Sequence, residues 1–184
     1  GETTVIGPAP TRDHTERMLK GFGYPIEVEG PKVTVRPGGK LTATQIDVPA
    51  DISSAAFFMV AASIAKGSDI TLQHVGINPT RVGVINILRL MGANIELMNE
   101  REVGGEPVAD LRIRGAQLKG IQIPEDQVPL AIDEFPSIFV TLCNVNLPLK
   151  ICKSPGSSFS CFTLVRSPFN TFLTSSKFSF PGSL

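Results

Sequence analysis

Residues 18–28, Met-Leu-Lys-Gly-Phe-Gly-Tyr-Pro-Ile-Glu-Val, return as residues 87–97, Ile-Leu-Arg-Leu-Met-Gly-Ala-Asn-Ile-Glu-Leu. In both copies an apolar helical stripe ends at a glycine, Gly23 or Gly92, and an extended segment follows. A second strand comes next, Val33–Val35 or Leu111–Ile113. A third element then ends in Pro and Asp, at Val48-Pro-Ala-Asp51 and Ile123-Pro-Glu-Asp126, and leads into another helix. The unit reads helix, strand, strand, strand, helix, with a linking strand before the next copy. Repetition at this period implies whole supersecondary modules packed around shared cores. Hairpins interrupt the strand–helix alternation, so a purely doubly wound nucleotide fold fits less well.

The spacing predicts strands at Thr3–Ile6, Ile26–Val28, Val33–Val35, Gln45–Val48, Ile70–His74, Ile95–Met98, Asp110–Ile113 and Gly120–Ile123. It predicts helices over Arg12–Gly21, from an Asp51 cap to about Ala65, over Arg81–Met91, and from near Asp133. No Gly-x-Gly-x-x-Gly or Walker-type loop is present, and Gly104-Gly105 reads as a hairpin turn.

Charge divides the chain at residue 137. Residues 1–136 hold all 17 acids against 13 Lys and Arg, net −4; residues 137–184 hold four Lys and Arg and no acid. That tail also carries 10 Ser and 7 of the 11 Phe. It shows neither heptads nor an amphipathic stripe, which predicts poorly structured or non-native sequence, separate from the domain material of 1–136. Cys143, Cys152 and Cys161 match no zinc or redox spacing, and their odd number argues against a closed disulfide framework. A net charge of zero over the whole chain suggests no nucleic-acid partner. No apolar run approaches membrane-spanning length. The absence of a leader predicts a cytoplasmic protein, and the opening Gly predicts a processed product or a fragment.

Thr11 reads as an N-cap, which puts Arg12 in the first helical turn. Helix dipole and unpaired N–H groups there favour negative charge, so an arginine in that place often shares the helix end with an anion. On spacing alone a solvated surface arginine remains the default. Arg81, after Asn78-Pro-Thr, repeats the pattern with the same default. Asp133 and Glu134 are embedded between Leu130-Ala-Ile132 and Phe135-Pro136. Desolvation would make Asp133 a candidate base, and an N-cap role ahead of Pro136 explains it equally well. Adjacent helical residues project about 100° apart, so the two acids cannot both face one site. Ser53-Ser54 reads as capping and close packing. His14 and His74 lie in different elements and read as surface or core-edge residues, with no clustered partners for a metal.

These residues also carry a resemblance. Thr11-Arg-Asp-His-Thr-Glu-Arg-Met-Leu-Lys-Gly-Phe-Gly23, Val48-Pro-Ala-Asp-Ile-Ser-Ser-Ala-Ala-Phe57 and Asn78-Pro-Thr-Arg81 resemble the 5-enolpyruvylshikimate-3-phosphate synthase family, in its glyphosate-tolerant bacterial form. So do Met91-Gly-Ala-Asn-Ile-Glu96, Val108-Ala-Asp-Leu-Arg112 and Ala131-Ile-Asp-Glu-Phe-Pro136, in the family's order and close to its spacing. The likeness covers residues 1–136. It implies an α/β (α+β) inside-out barrel built from βαβαββ repeats, here an incomplete set. It implies transfer of the enolpyruvyl group of phosphoenolpyruvate to the 5-hydroxyl of shikimate 3-phosphate, with release of phosphate and no metal or organic cofactor. It also implies a monomer with no membrane or nucleic-acid partner.

By resemblance, Arg12 contacts shikimate 3-phosphate. By resemblance too, Asp133 binds the shikimate hydroxyls and accepts the proton of the attacking one. The Lys-Ser, Lys-Glu-x-x-Arg and His-Arg motifs that supply most phosphoenolpyruvate contacts do not occur. The chain alone is therefore expected to be inactive or nearly so, a central fragment with an interrupted reading frame, or a foreign extension, beginning near 137–144. The alternatives are the related UDP-N-acetylglucosamine enolpyruvyl transferases, or a non-enzymatic product that binds anions at most.

Overall fold

The computed structural model describes residues 1–7, 12–141, 149–151, 161–167 and 170–176, the last three by backbone alone. The duplication in the sequence is a duplication of structure. In the first unit β1 (Thr3–Ile6) leads to α1 (His14–Gly21) and then to the hairpin β2 (Ile26–Glu29)–β3 (Lys32–Val35). After α2 (Ile52–Ile64) the same path recurs: β4 (Asp69–Gly76), α3 (Gly83–Leu90), and the hairpin β5 (Asn94–Val103)–β6 (Glu106–Arg114). Both sheets put the last strand in the middle, in the orders β1-β3-β2 and β4-β6-β5, with antiparallel pairing throughout.

The helix ends match bond for bond. Phe22 N–H donates to Met18 O at 2.9 Å, Gly23 to Lys20 O at 2.9 Å and Tyr24 to Leu19 O at 2.9 Å. In the second copy Met91 donates to Ile87 O at 3.0 Å, Gly92 to Arg89 O at 2.9 Å and Ala93 to Leu88 O at 2.9 Å. This closure needs a left-handed residue after the helix, and Gly23 (φ 76°) and Gly92 (φ 95°) supply it without a Cβ clash.

The two units differ in burial. Ile87, Leu88, Met91 and Ile95 lie in the core, whereas the equivalent Met18 is 50% exposed and α1 buries nothing fully. The second unit is covered by α2, whose Ile52, Ala56, Met59 and Val60 are buried, and by α4 (Phe135–Val140). Asp51 caps α2 as expected, its side chain accepting from Ser54 N–H at 2.9 Å.

Several expectations are corrected. Gln45–Val48 is not a strand; two residues beyond it an isolated parallel bridge joins Ala50 to Val75. The segment's counterpart is short, β7 (Gln122–Ile123), pairing parallel with β8 (Leu149–Ile151). Beyond α4, β8 is followed by the antiparallel pair β9 (Cys161–Ser167) and β10 (Asn170–Ser176). Cys143 and Cys152 lie outside the described residues, as does Thr11 with its expected capping role. Among the described residues no helix is long and apolar enough to cross a membrane.

Candidate functional site

Arg12 and Asp133, 121 residues apart in sequence, form a side-chain ion pair, Arg12 Nη2 donating to Asp133 Oδ2. Both side chains are 51% exposed, so the pair is open to a ligand. Their local settings differ from the sequence reading. Arg12 is not in the first turn of α1. Asp13 takes the N-cap position, and the helix begins at His14. An acid rather than a cation thus meets the positive end of the helix dipole, as electrostatics prefers. Asp133 neither caps α4 nor is buried. It lies in the turn before the helix, whose N-cap is Glu134, and the desolvated carboxylate is Glu134, 4% exposed. The two neighbouring acids face different partners, Arg12 for Asp133 and Ser53 for Glu134.

Each half of the pair sits beside a polar cluster. On the Arg12 side, Asp13 Oδ1 accepts from Asn78 Nδ2 at 2.7 Å and Asp13 Oδ2 from Arg17 Nε at 2.8 Å. Burial pushes the Asp13 carboxyl up, but the hydrogen bonds from Asn78 and Arg17 outweigh it and leave it below the ordinary 3.8. His14 Nδ1 meets Glu106 Oε1 at 2.7 Å, and Asn78 Nδ2 also reaches Glu106 Oε2 at 3.0 Å. On the Asp133 side, Ser53 Oγ donates to Glu134 Oε1. Arg81 Nη2 donates to the same hydroxyl and lies 3.8 Å from Glu134 Oε1, and Arg81 Nη1 lies 3.3 Å from Asp51 Oδ1. Burial raises the Asp51 carboxyl, and the Ser54 N–H and hydroxyl, the Ser53 N–H and Arg81 more than reverse that, leaving it below 3.8.

Arg81 therefore meets anions after all, but they belong to the protein. Its side chain is 20% exposed, and the surface reading does not hold. What sequence reasoning missed is how Ser53, Asn78 and Glu134 are partnered. Apart from the local Asn78–Thr80 bonds, these contacts span 28 to 81 positions, beyond any periodic signal. A cavity of about 340 Å³ adjoins these clusters, lined by His14, Asp51, Asn78, Arg81 and Glu106 among others; neither Arg12 nor Asp133 lines it. His74 sits at a bulge, its backbone N–H donating to Asp110 Oδ1 at 2.8 Å. Among the described residues no group of three His, Cys, Asp or Glu is placed to hold a metal ion.

Two strand–helix–hairpin units, joined at their helix starts by the Asn78–Asp13 hydrogen bond, with an exposed arginine–carboxylate pair between the first helix start and the turn before α4, define an α/β protein assembled from repeats. The family model described as EPSP synthase (3-phosphoshikimate 1-carboxyvinyltransferase) matches residues 1–153. The chain is 71% identical over 140 residues to the 3-phosphoshikimate 1-carboxyvinyltransferase of Alkalilimnicola ehrlichii, covering 76% of this chain and 31% of the relative. To that of Methylococcus capsulatus it is 69% identical over 140 residues, covering 76% and 32%. The solved EPSP synthase of Acinetobacter baumannii superposes with a TM-score of 0.78 at 59% identity, over 81% of this chain and 34% of that one. The chain belongs to the EPSP synthase family of enolpyruvyl transferases. It spans about a third of the length of the relatives it matches.

Proposed function

We propose that this chain carries the shikimate 3-phosphate half of an enolpyruvyl transferase active site. In the complete reaction the 5-hydroxyl oxygen of shikimate 3-phosphate adds to C2 of phosphoenolpyruvate while C3 gains a proton. The tetrahedral adduct then loses phosphate and a C3 proton, which restores the enol double bond. Arg12 holds the shikimate phosphate. Asp133 accepts hydrogen bonds from the ring hydroxyls and takes the proton of the attacking one. The observation that carries this reading is the meeting of Arg12 and Asp133 across the fold.

Energetics favour exchange of the pair for substrate. An ion pair half exposed on both sides is worth only about 0–1 kcal/mol. A guanidinium on a phosphate dianion makes stronger, charge-assisted and often bidentate bonds. The ligand phosphate can therefore displace the carboxylate from Arg12 and free Asp133 for hydroxyl donors. The names of the relatives at 71% and 69% identity favour shikimate 3-phosphate over the UDP-sugar acceptor of the related transferases.

The test is a titration of the chain with shikimate 3-phosphate, followed by ¹H–¹⁵N correlation spectra, with Arg12→Ala and Asp133→Ala in parallel. Saturable shifts near residues 12–14 and 132–134, lost in both variants, are expected. A well-dispersed spectrum that shikimate 3-phosphate leaves untouched refutes the reading.

A further inference from the structure

The segment Asn78–Gly83, between β4 and α3, reaches both halves of the Arg12–Asp133 pair. Asn78 is 2% exposed. Its Oδ1 accepts from Thr80 N–H at 2.9 Å and from Thr80 Oγ at 2.7 Å, which closes the turn on itself. With the oxygen committed there, the amide nitrogen must face outward, and it donates to Asp13, the residue next to Arg12. Three positions on, Arg81 bonds Ser53 and lies beside Glu134, the residue next to Asp133. Gly83 makes a third contact, with the backbone that leads into Asp133. A Cβ there would lie 2.6 Å from Leu130 C, 2.7 Å from Leu130 O and 2.8 Å from Ala131 Cβ. Only glycine lets the start of α3 approach the 130–133 turn this closely.

We propose that Asn78, Arg81 and Gly83 are positioning residues that set the spacing between Arg12 and Asp133, Asn78 acting through Asp13 and the other two through Glu134 and the Leu130–Ala131 backbone. This rests on the functional reading above. Shikimate 3-phosphate holds its phosphate and hydroxyls on one rigid ring, so its two protein partners must stand at a fixed separation. Neither Arg12 nor Asp133 is buried enough to be fixed by its own packing. Their neighbours Asp13 and Glu134 are tied to one short segment, so the two half-sites move as one body. A displacement of about 1 Å at such a site costs up to about a hundredfold in rate.

The experiment uses the full chain with Gly83→Ala and Arg81→Lys, and with Leu111→Ala as a variant of the sheet core outside the segment. Two readouts are taken: the Kd for shikimate 3-phosphate, and the Arg12 Nε–Hε resonance with and without Asp133→Asn. Gly83→Ala and Arg81→Lys are expected to raise Kd about tenfold or more. They are also expected to move the Arg12 resonance to its Asp133→Asn position while amide dispersion stays native. Leu111→Ala is expected to lower the urea midpoint and leave both readouts unchanged, which a purely structural role of the segment would not produce. Wild-type Kd and an unmoved Arg12 resonance in the folded variants overturn the proposal. Arg81→Lys keeps its charge and adds no atoms to the core, so it decides the matter should Gly83→Ala not fold. If wild type shows the Arg12–Asp133 coupling and loses it in the variants, yet binds no shikimate 3-phosphate, the functional reading falls and the positioning role stands.

Discussion

Replacing Asn78 by alanine is expected to cost far more than its single amide suggests. The side chain is 2% exposed and bridges four groups: Asp13 and Glu106 as acceptors, and the Thr80 N–H and hydroxyl as donors. A hydrogen bond to a charged group contributes roughly 1.5–3 kcal/mol and a neutral one about 1. Both carboxylates reach water, with side chains 33% and 19% exposed, and keep Arg17 and His14 as partners, so their share is discounted heavily. The donors of Thr80 lose an acceptor that water replaces poorly at a site this enclosed. The net loss is about 3 kcal/mol, which for a chain of 184 residues lowers Tm by about 6–12 °C. Urea melts followed by far-ultraviolet circular dichroism at pH 7 measure it. Asn78→Asp sharpens the reasoning, because it sets a third carboxylate against Asp13 and Glu106. Like-charge repulsion raises carboxyl pKa values in the folded state, so this penalty is small in acid and grows as pH rises through the raised values. Asn78→Asp should therefore be the worse variant at pH 7 and close the gap near pH 4. A loss below about 1 kcal/mol for Asn78→Ala, or a gap that does not narrow in acid, refutes the claim that Asn78 holds this cluster together through its hydrogen bonds to two carboxylates and the Thr80 donors.

Two further outcomes are expected. Asp13 and Asp51 have folded pKa values below the ordinary 3.8, so the stability they add is present above that value and lost as pH falls through the lowered values; a urea midpoint at pH 3 no lower than at pH 5 would contradict this. Amide hydrogen exchange should be slow in β4, β5 and β6 and markedly faster in β1, β2 and β3, because only the second unit is covered by α2 and α4; equal protection in the two sheets would show that burial does not govern local opening here.

The repeat was legible in the sequence because its signals are local. A helix-ending glycine, a Gly-Gly hairpin and alternating apolar strands each act over a few residues, and both copies fold as those signals direct. The segment Gln45–Val48 shows where local signals stop. It alternates like a strand, but no neighbouring edge takes it up, and a strand without a partner does not form. The site was half legible. Arg12 and Asp133 were picked out as charges in odd places, yet the reasons given for each were wrong in detail. The dipole meets Asp13 and the apolar surroundings close over Glu134, one residue along in both cases. A one-residue error leaves the sequence pattern intact and turns the side chain to another face.

Duplication explains why the support of the pair lies in the second unit. The two copies share one backbone plan, but only the second is covered by α2 and α4. The buried start of α3 can therefore hold a polar turn rigidly, with Asn78 and Arg81 fixed against a packed core. The first unit, open on its face, cannot fix a charged side chain by burial, and α1 has no side-chain cap of its own. Its Arg12 borrows order from the other copy through Asp13 and Asn78. The same rigid turn holds Glu134 and hence the approach to Asp133. An exposed charge on the open copy, tied through its neighbour to a turn on the buried copy, stays accessible without being loose.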